Sequence, residues 1–167
     1  MKISIITATY NSESHIEDCV RSVFNQTYDD IEHIIIDGAS KDNTLEIINS
    51  IPNRVTTIVS EPDKGIYDAM NKGIQAATGD VIGILNSDDF FADKDVIAKI
   101  ANEFLEDSEL EAVYTNLYYV QQNDPSKIVR HWISGPFKKK SFFKGWHPPH
   151  PTLYLRKDVY DKYGLFN

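Results

Sequence analysis

The chain has 167 residues, 41% hydrophobic and 25% charged, about one domain's worth of ordinary globular composition with enough apolar surface to bury a core. Lys plus Arg number 17 against 25 Asp plus Glu, a net charge of −8, which argues against a general nucleic-acid binder because phosphate affinity rests on clustered positive charge. The single cysteine, Cys19, rules out an internal disulfide and makes the reducing cytoplasm the expected compartment. No apolar run is long enough to span a bilayer, and the N-terminus lacks the basic-then-apolar form of a signal peptide. The charge is unevenly spread. From Lys127 to Lys157 there are eight basic residues and no acidic one, interleaved with Trp132, Phe137, Phe142, Phe143, Trp146 and Tyr154, which leaves nine basic against 25 acidic residues elsewhere.

In chain order, Lys2 to Ala8 predicts a buried strand that stops at the polar Thr9-Tyr10-Asn11-Ser12. Ile16, Cys19, Val20, Val23 and Phe24 then form one apolar stripe at helical spacing, with Ser14-x-x-Glu17 as a capping box. Glu32 to Asp37 holds the β-branched run Ile34-Ile35-Ile36, apolar on both faces as in the centre of a covered sheet. Asp37-Gly38-Ala39-Ser40 is a turn. Leu45, Ile48 and Ile51 mark a second helix ended by Pro52-Asn53, and Val55 to Ser60 a third strand. After the Glu61–Gly65 loop, Ile66 to Thr78 predicts a third helix with Gly79 as its C-terminal cap and with Met70 and Ile74 in the core. Val81 to Leu85 is a fourth strand that runs into Asn86-Ser87-Asp88-Asp89. A fourth helix starts near Asp93. Beyond Glu111, Ala112 to Val120 and Lys127 to Ile133 predict two strands joined around Asn123-Asp124-Pro125-Ser126.

Four strand–helix alternations with short connections predict an α/β fold, an open and mostly parallel sheet with helices on both faces. Ligands bind such sheets beyond the carboxyl ends of the strands. Polar residues gather there: Thr7, Thr9, Tyr10 and Asn11, then Asp37, then Asn86, Ser87, Asp88 and Asp89. Any one of them alone reads equally as a cap or turn former. Adjacent carboxylates after a buried strand repel unless donors or a cation lie between them, and hard oxygen ligands of this kind suit Mg²⁺ or Mn²⁺ together with substrate phosphates. The competing reading is an acidic turn that caps the next helix. No Gly-rich phosphate loop, dinucleotide fingerprint or serine-hydrolase elbow is present.

Ile5-Ile6-Thr7-Ala8-Thr9-Tyr10-Asn11, Ile36-Asp37-Gly38-Ala39-Ser40-Lys41-Asp42-Asn43-Thr44, the segment Glu61 to Gly73 and Asn86-Ser87-Asp88-Asp89 resemble, in order, the motif set of family 2 glycosyltransferases. The resemblance covers residues 1 to 110 and extends more weakly to His147-Pro148-Pro149-His150-Pro151-Thr152. It implies the GT-A fold, with a nucleotide-binding part over 1–110 and an acceptor-side part over 111–167. It implies an inverting transfer of a sugar from a nucleotide-diphosphate donor, a UDP-sugar foremost, to a hydroxyl of a saccharide or lipid-linked saccharide in cell-surface polysaccharide synthesis.

The same resemblance assigns residues. Thr7, Thr9, Tyr10 and Asn11 would line the nucleoside pocket, and Asp37 would bond the base or ribose. The segment from Asp63 through Asp68 to Asn71 would close on ribose and diphosphate. Asn86-Ser87-Asp88 would stand for the family's Asp-x-Asp, with Asp88 as chief metal ligand and Asp89 beside it, and His147 and His150 would either approach the diphosphate or form a rigid turn. Two departures stand out: Asp37-Gly38 replaces Asp-Asp-Gly, and neutral Asn86 replaces the first Asp. The family's general base is an Asp in a short acidic motif after the segment matching 159–167, so the resemblance places that base beyond Asn167 and leaves Asp158 and Asp161 as surface charges. It also implies apolar surface left bare at Leu165 and Phe166, favouring a homo-oligomer. The basic-aromatic stretch is expected either to face an anionic lipid-linked acceptor or the inner face of the membrane, or to be a solvated loop. A catalytically inactive nucleotide-sugar binding module is the main rival. A sugar-nucleotide pyrophosphorylase fits less well, because Thr7–Asn11 is neither Gly-rich nor basic.

Overall fold

A computed structural model describes residues 1–167. The elements run β1 (Ile3–Thr9), α1 (Ile16–Phe24), β2 (Ile31–Asp37), α2 (Thr44–Ser50), β3 (Val55–Ser60), α3 (Ile66–Ala76), β4 (Val81–Ile84), α4 (Val96–Glu106), β5 (Ala112–Tyr114), β6 (Leu117–Gln121), β7 (Asp124–Trp132), β8 (Leu153–Arg156) and α5 (Lys157–Tyr163). Six strands form one sheet in the order β3-β2-β1-β4-β8-β5. β1 to β4 are parallel, as the alternating pattern predicts.

The strands read as apolar on both faces because both are covered. Ile3 and Ile5 pack with Cys19 and Val23 of α1, with Ile97, Ile100 and Phe104 of α4, and with Tyr154 of β8. The alternate residues Ile6, Ala8, Ile34, Ile36, Ile82 and Ile84 face the other way, against Ala69, Met70 and Ile74 of α3 and Tyr160 of α5. Every residue of β1, β2 and β4 is buried, so the positions of their carboxyl ends are fixed by the core.

Several sequence expectations are corrected. The strand expected over Ala112–Val120 divides: β5 joins the main sheet, while β6 pairs with β7 in a separate hairpin. That hairpin turns at Gln122-Asn123, ahead of the expected Asn123–Ser126. β8 was not foreseen; it inserts antiparallel between β4 and β5, pairing Gly83 with Tyr154 and Val113 with Tyr154. The Ser14–Glu17 capping box does not form. The amides of His15, just before α1, and of Ile16, its first residue, donate to the Ser12 carbonyl instead, and Glu17 pairs with Arg21. Gly79 lies beyond the end of α3, where its N–H donates to Ser4 Oγ at 2.9 Å and a side chain would strike the Lys2 and Ser4 backbone. The surface at Leu165 and Phe166 is not bare. Both are half-buried against the α3 side of the sheet, and Phe166 packs on Tyr67, His150 and Tyr160 with ring centroids 5.7, 5.8 and 6.3 Å away.

Candidate active site

The carboxyl ends of β1, β2 and β3 lie side by side, with Thr9 opposite Asp37 and Asp37 opposite Ser60. The loops that leave β1 and β2 are laced together. Asn11 N–H donates to Ser40 Oγ at 2.8 Å, Lys41 N–H to Asn11 Oδ1 at 2.9 Å, Ser12 N–H to Thr44 Oγ1 at 2.8 Å and Glu13 N–H to Asp42 Oδ2 at 3.0 Å. Two non-glycine residues in these loops adopt left-handed backbone, Asn11 at φ 49° and Ala39 at φ 63°. Such conformations cost about 1–3 kcal/mol each and persist where the surroundings enforce them, most often at functional sites.

Asp37 is fully buried. Its carboxylate accepts from the Ser40 amide and hydroxyl and from Ser60 Oγ at 2.6 Å. Rather than facing a ligand directly, it fixes the Gly38–Ser40 turn and the end of β3. Tyr10 is 59% exposed. Its ring and the Asp63 carboxylate both close on Gly38, within 3.3 and 2.6 Å of where a side chain would begin. A free aromatic face beside a carboxylate suits a nucleobase and its polar groups.

Thr7 points elsewhere than expected. It is fully buried, bonded to His33 Nε2 at 3.1 Å and close to Cys19 Sγ, so it belongs to the core beneath the site. Burial alone holds His33 well down, at about 3, so the ring is neutral. Thr9, two residues on and on the same face, is 4% exposed, and its Oγ1 has no partner. A buried hydroxyl left unbonded is costly.

The segment after β4 is tied to the loop that leaves β1 and to α1. Ser87 Oγ lies 2.9 Å from Ser12 Oγ, and Cys19 Sγ–H donates to the Asn86 carbonyl at 3.4 Å. Burial pushes the Cys19 thiol up to about 12, which keeps it the neutral donor this contact needs. Asn86 Nδ2 donates to Asp89 Oδ2 at 2.9 Å, while Asn86 Oδ1 is enclosed and unpartnered. Asp88 is exposed and Asp89 half-buried. Burial pushes the Asp89 carboxyl up, and the Asp88 charge adds to this against the Asn86 hydrogen bond and His150. His150, in the turn leading into β8, is held down by burial although Asp89 pulls it up, and its Nε2 is also enclosed without a partner. His147 is exposed and bonds only the neighbouring Pro148 carbonyl.

These residues fit a divalent cation. A repelling carboxylate pair, one member carrying a raised pKa, sits beside an unpaired amide oxygen and an unpaired imidazole nitrogen. No cluster of three His, Cys, Asp or Glu forms a complete cage, and Mg²⁺ or Mn²⁺ does not need one, taking one or two carboxylates plus phosphate oxygens and water.

Asp68 and Asn71 do other work than expected. Asp68 accepts from the Lys64 amide at 3.0 Å and pairs with Lys72, which closes the start of α3. Asn71 grips the Phe166 backbone twice, Nδ2 to its carbonyl at 2.8 Å and Oδ1 from its amide at 3.0 Å. Ser40, Ser60 and Ser12 were missed by sequence reasoning, since lone serines in turns carry no signal. The weak His-Pro-Pro-His motif was the only pointer to His150. Asp158 and Asp161 are exposed on α5, as read from the sequence.

A mostly parallel sheet covered on both faces, with laced polar loops and an acid pair at its carboxyl edge, is the arrangement of the GT-A fold of the glycosyltransferases. The chain belongs to glycosyl transferase family 2, which it matches over residues 4–163. Chondroitin synthase of Pasteurella multocida (strain Pm70) is 41% identical over 115 residues, 68% of this chain and 12% of that protein. A PGL/p-HBAD biosynthesis glycosyltransferase of Mycobacterium tuberculosis (strain H37Rv) is 29% identical over 167 residues, 98% of this chain and 62% of that one. The chain therefore spans less than two thirds of the length of either relative. Among solved structures, the mannosyltransferase PcManGT from Pyrobaculum calidifontis, in complex with GDP-Man and Mn²⁺, superposes with a TM-score of 0.73 at 20% identity over 99% of this chain and 47% of that one. S. aureus TarS in complex with UDP-GlcNAc superposes with a TM-score of 0.71 at 22% identity over 98% and 47%. At these identities the likeness is one of fold.

Proposed function

We propose that this chain binds a nucleotide-diphosphate sugar, a UDP-sugar foremost, together with Mg²⁺ or Mn²⁺, and supports inverting transfer of the sugar to a hydroxyl of a saccharide or lipid-linked saccharide in surface-polysaccharide synthesis. The observation that carries this reading is that Asn86 Oδ1 and His150 Nε2 are enclosed without partners beside Asp89, with Thr9 Oγ1 likewise unpartnered at the end of the neighbouring strand β1, whereas the fourth such atom, His33 Nδ1, lies in the core. Buried polar groups are normally bonded, so these call for a polar ligand. The nucleotide sugars and Mn²⁺ bound by the two structural neighbours support the donor and metal classes, and the chondroitin synthase relative supports the polysaccharide role.

In this reading Tyr10 and Asp63 receive the base, and Asp37, held by Ser40 and Ser60, keeps the turn beneath it rigid. Asp88 and Asp89, with Asn86 oriented by Cys19, would hold the cation. When bound, the ion acts as a Lewis acid that takes up negative charge on the departing diphosphate. Neutral His150 lies beside Asp89 and offers a nitrogen to the diphosphate or its metal. The acceptor hydroxyl must lose a proton to a general base, worth about 10²–10⁴ in rate; Asp158 and Asp161 are not assigned that role.

Calorimetric titration of UDP with and without Mn²⁺ tests the site. Asp88→Ala should lose the Mn²⁺-dependent gain in affinity, about tenfold or more, since truncating a charged partner costs well over 1.4 kcal/mol. Asp93→Ala should keep that gain. Asp93 accepts from the Asp95 amide at 2.8 Å at the start of α4, so its loss should cost only about 1 kcal/mol of stability. Unchanged Mn²⁺ dependence in Asp88→Ala would remove the metal assignment.

A further inference from the structure

The folded chain breaks up the basic stretch read from the sequence. Arg156 is drawn inward, donating to the carbonyls of Leu110 and Phe104 and lying over the Phe104 ring, and Lys157 Nζ donates to the Ala77 carbonyl. Lys127 is paired with Asp124, and Arg130 lies between Tyr119 and Trp132. What remains is concentrated. Lys138, Lys139, Lys140 and Lys144 are all exposed, with no partner in hydrogen bond or ion pair, on or beside the 3₁₀ helix Lys139–Lys144.

That helix is about 12 Å long at roughly 2 Å rise per residue, and residues three apart share a face. Phe142, sharing a face with Lys139, leans on Phe137 and Trp146, with centroids 5.9 and 5.5 Å away, and stays 53% exposed. Trp146 in turn rests on Tyr114 of β5 and donates from Nε1 to the Ser134 carbonyl. Phe143, on the face shared with Lys140, is 89% exposed, more than any other large apolar side chain of the protein. The hump is tethered through Trp146 and presents a bare ring on the face of Lys140, with three more exposed lysines on the same short segment.

We propose that this hump is a docking point for an anionic bilayer surface. An aromatic ring seats at the boundary of headgroups and acyl chains while lysines beside it meet lipid phosphates. A soluble polyanion would use the lysines but give Phe143 nothing to bury against. The acidic remainder of the chain does not oppose this strongly, because charges beyond about 8–10 Å are screened at physiological salt. The hump leads within five residues to His150, so a docked surface would lie close to the strand-end site. The inference does not depend on the donor or metal assignment.

Vesicle co-sedimentation tests it without any nucleotide. The unmodified chain should bind phosphatidylcholine vesicles containing phosphatidylglycerol at least tenfold better than phosphatidylcholine alone. Each lysine near such a surface strengthens binding about fivefold, so replacing Lys138, Lys139 and Lys140 together by Gln should weaken it roughly a hundredfold. Phe143→Ser, at an exposed position that leaves the Trp146 contacts intact, should weaken it about tenfold while the melting temperature stays unchanged. Equal binding to neutral and anionic vesicles at low salt would overturn the proposal. So would a Phe143→Ser chain that binds vesicles as well as the parent, an outcome that assigns the lysines to a soluble polyanion.

Discussion

Glu32 offers a sharp test of how the site-bearing sheet is held at its opposite edge. The residue is 5% exposed near the amino end of β2. Its carboxylate accepts from Ser4 Oγ, from the Thr78 amide and hydroxyl at 2.8 Å each, and from Lys2 Nζ at 3.2 Å, which joins β1, β2 and the end of α3. Burial pushes the carboxyl up, but these donors outweigh it and hold it at about 2 against an ordinary 4.5. A folded-state value below the unfolded one stabilises fully above the ordinary value, and the gain disappears as pH falls from 4.5 through about 2. At 1.36 kcal/mol per pH unit the interval corresponds to about 3 kcal/mol at neutral pH. Glu32→Gln keeps the shape, loses the charge and turns an amide group toward existing donors. It should lose about 2–3 kcal/mol at neutral pH, and the deficit should shrink toward zero near pH 2. Urea unfolding of both chains across that range measures it. Parallel acid limbs for the two proteins would refute the reasoning.

Gly83 of β4 lies under the enclosed Tyr154 ring, and a methyl there would overlap three ring carbons. Gly83→Ala should cost about 1–3 kcal/mol, and replacing Tyr154 by Leu in the same chain should return part of that loss. Strictly additive effects in the denaturation midpoints would show that the two do not collide. Asn71→Ala removes both hydrogen bonds to Phe166 and should cost about 1–2 kcal/mol. Hydrogen exchange should show protection lost first at residues 165–167. Weakened UDP binding with the tail still protected would instead return Asn71 to the donor site.

Much of the fold was open to sequence reasoning because β1, β2 and β4 carry β-branched runs that only a doubly covered sheet accommodates. β8 was hidden for the opposite reason. Leu-Tyr-Leu-Arg is short, lies between a Pro-rich turn and a charged helix, and acquires strand geometry only from β4 and β5, which are distant in sequence. Within the site, residue type and location were readable while direction was not. Thr7 and Thr9 share a strand face, yet one bonds the buried His33 and the other is left open at the edge, and only the depth of each along β1 decides this. Asp37 and Asn71 are polar residues on the expected elements whose hydrogen bonds are taken up by partners 23 and 95 residues away. No local pattern announces such partners. Asn86-Ser87-Asp88-Asp89 stood out because an acid pair directly after a buried strand is costly without donors or a cation, and the fold places it at the carboxyl edge of the sheet beside Thr9 and Ser12.

The insertion of β8 also sets a timetable. The outer edge of β4 is paired only by residues 154–156, whereas its inner neighbour β1 lies at the start of the chain. A ribosome adding about 5–20 residues per second thus leaves Val81–Ile84 with one open flank for several seconds after its own synthesis. An apolar strand edge without a partner is a template for another chain. The nascent protein is therefore most prone to aggregate after β1 to β4 are built and before β8 emerges, and slowing translation across residues 85–150 should lengthen that vulnerable interval.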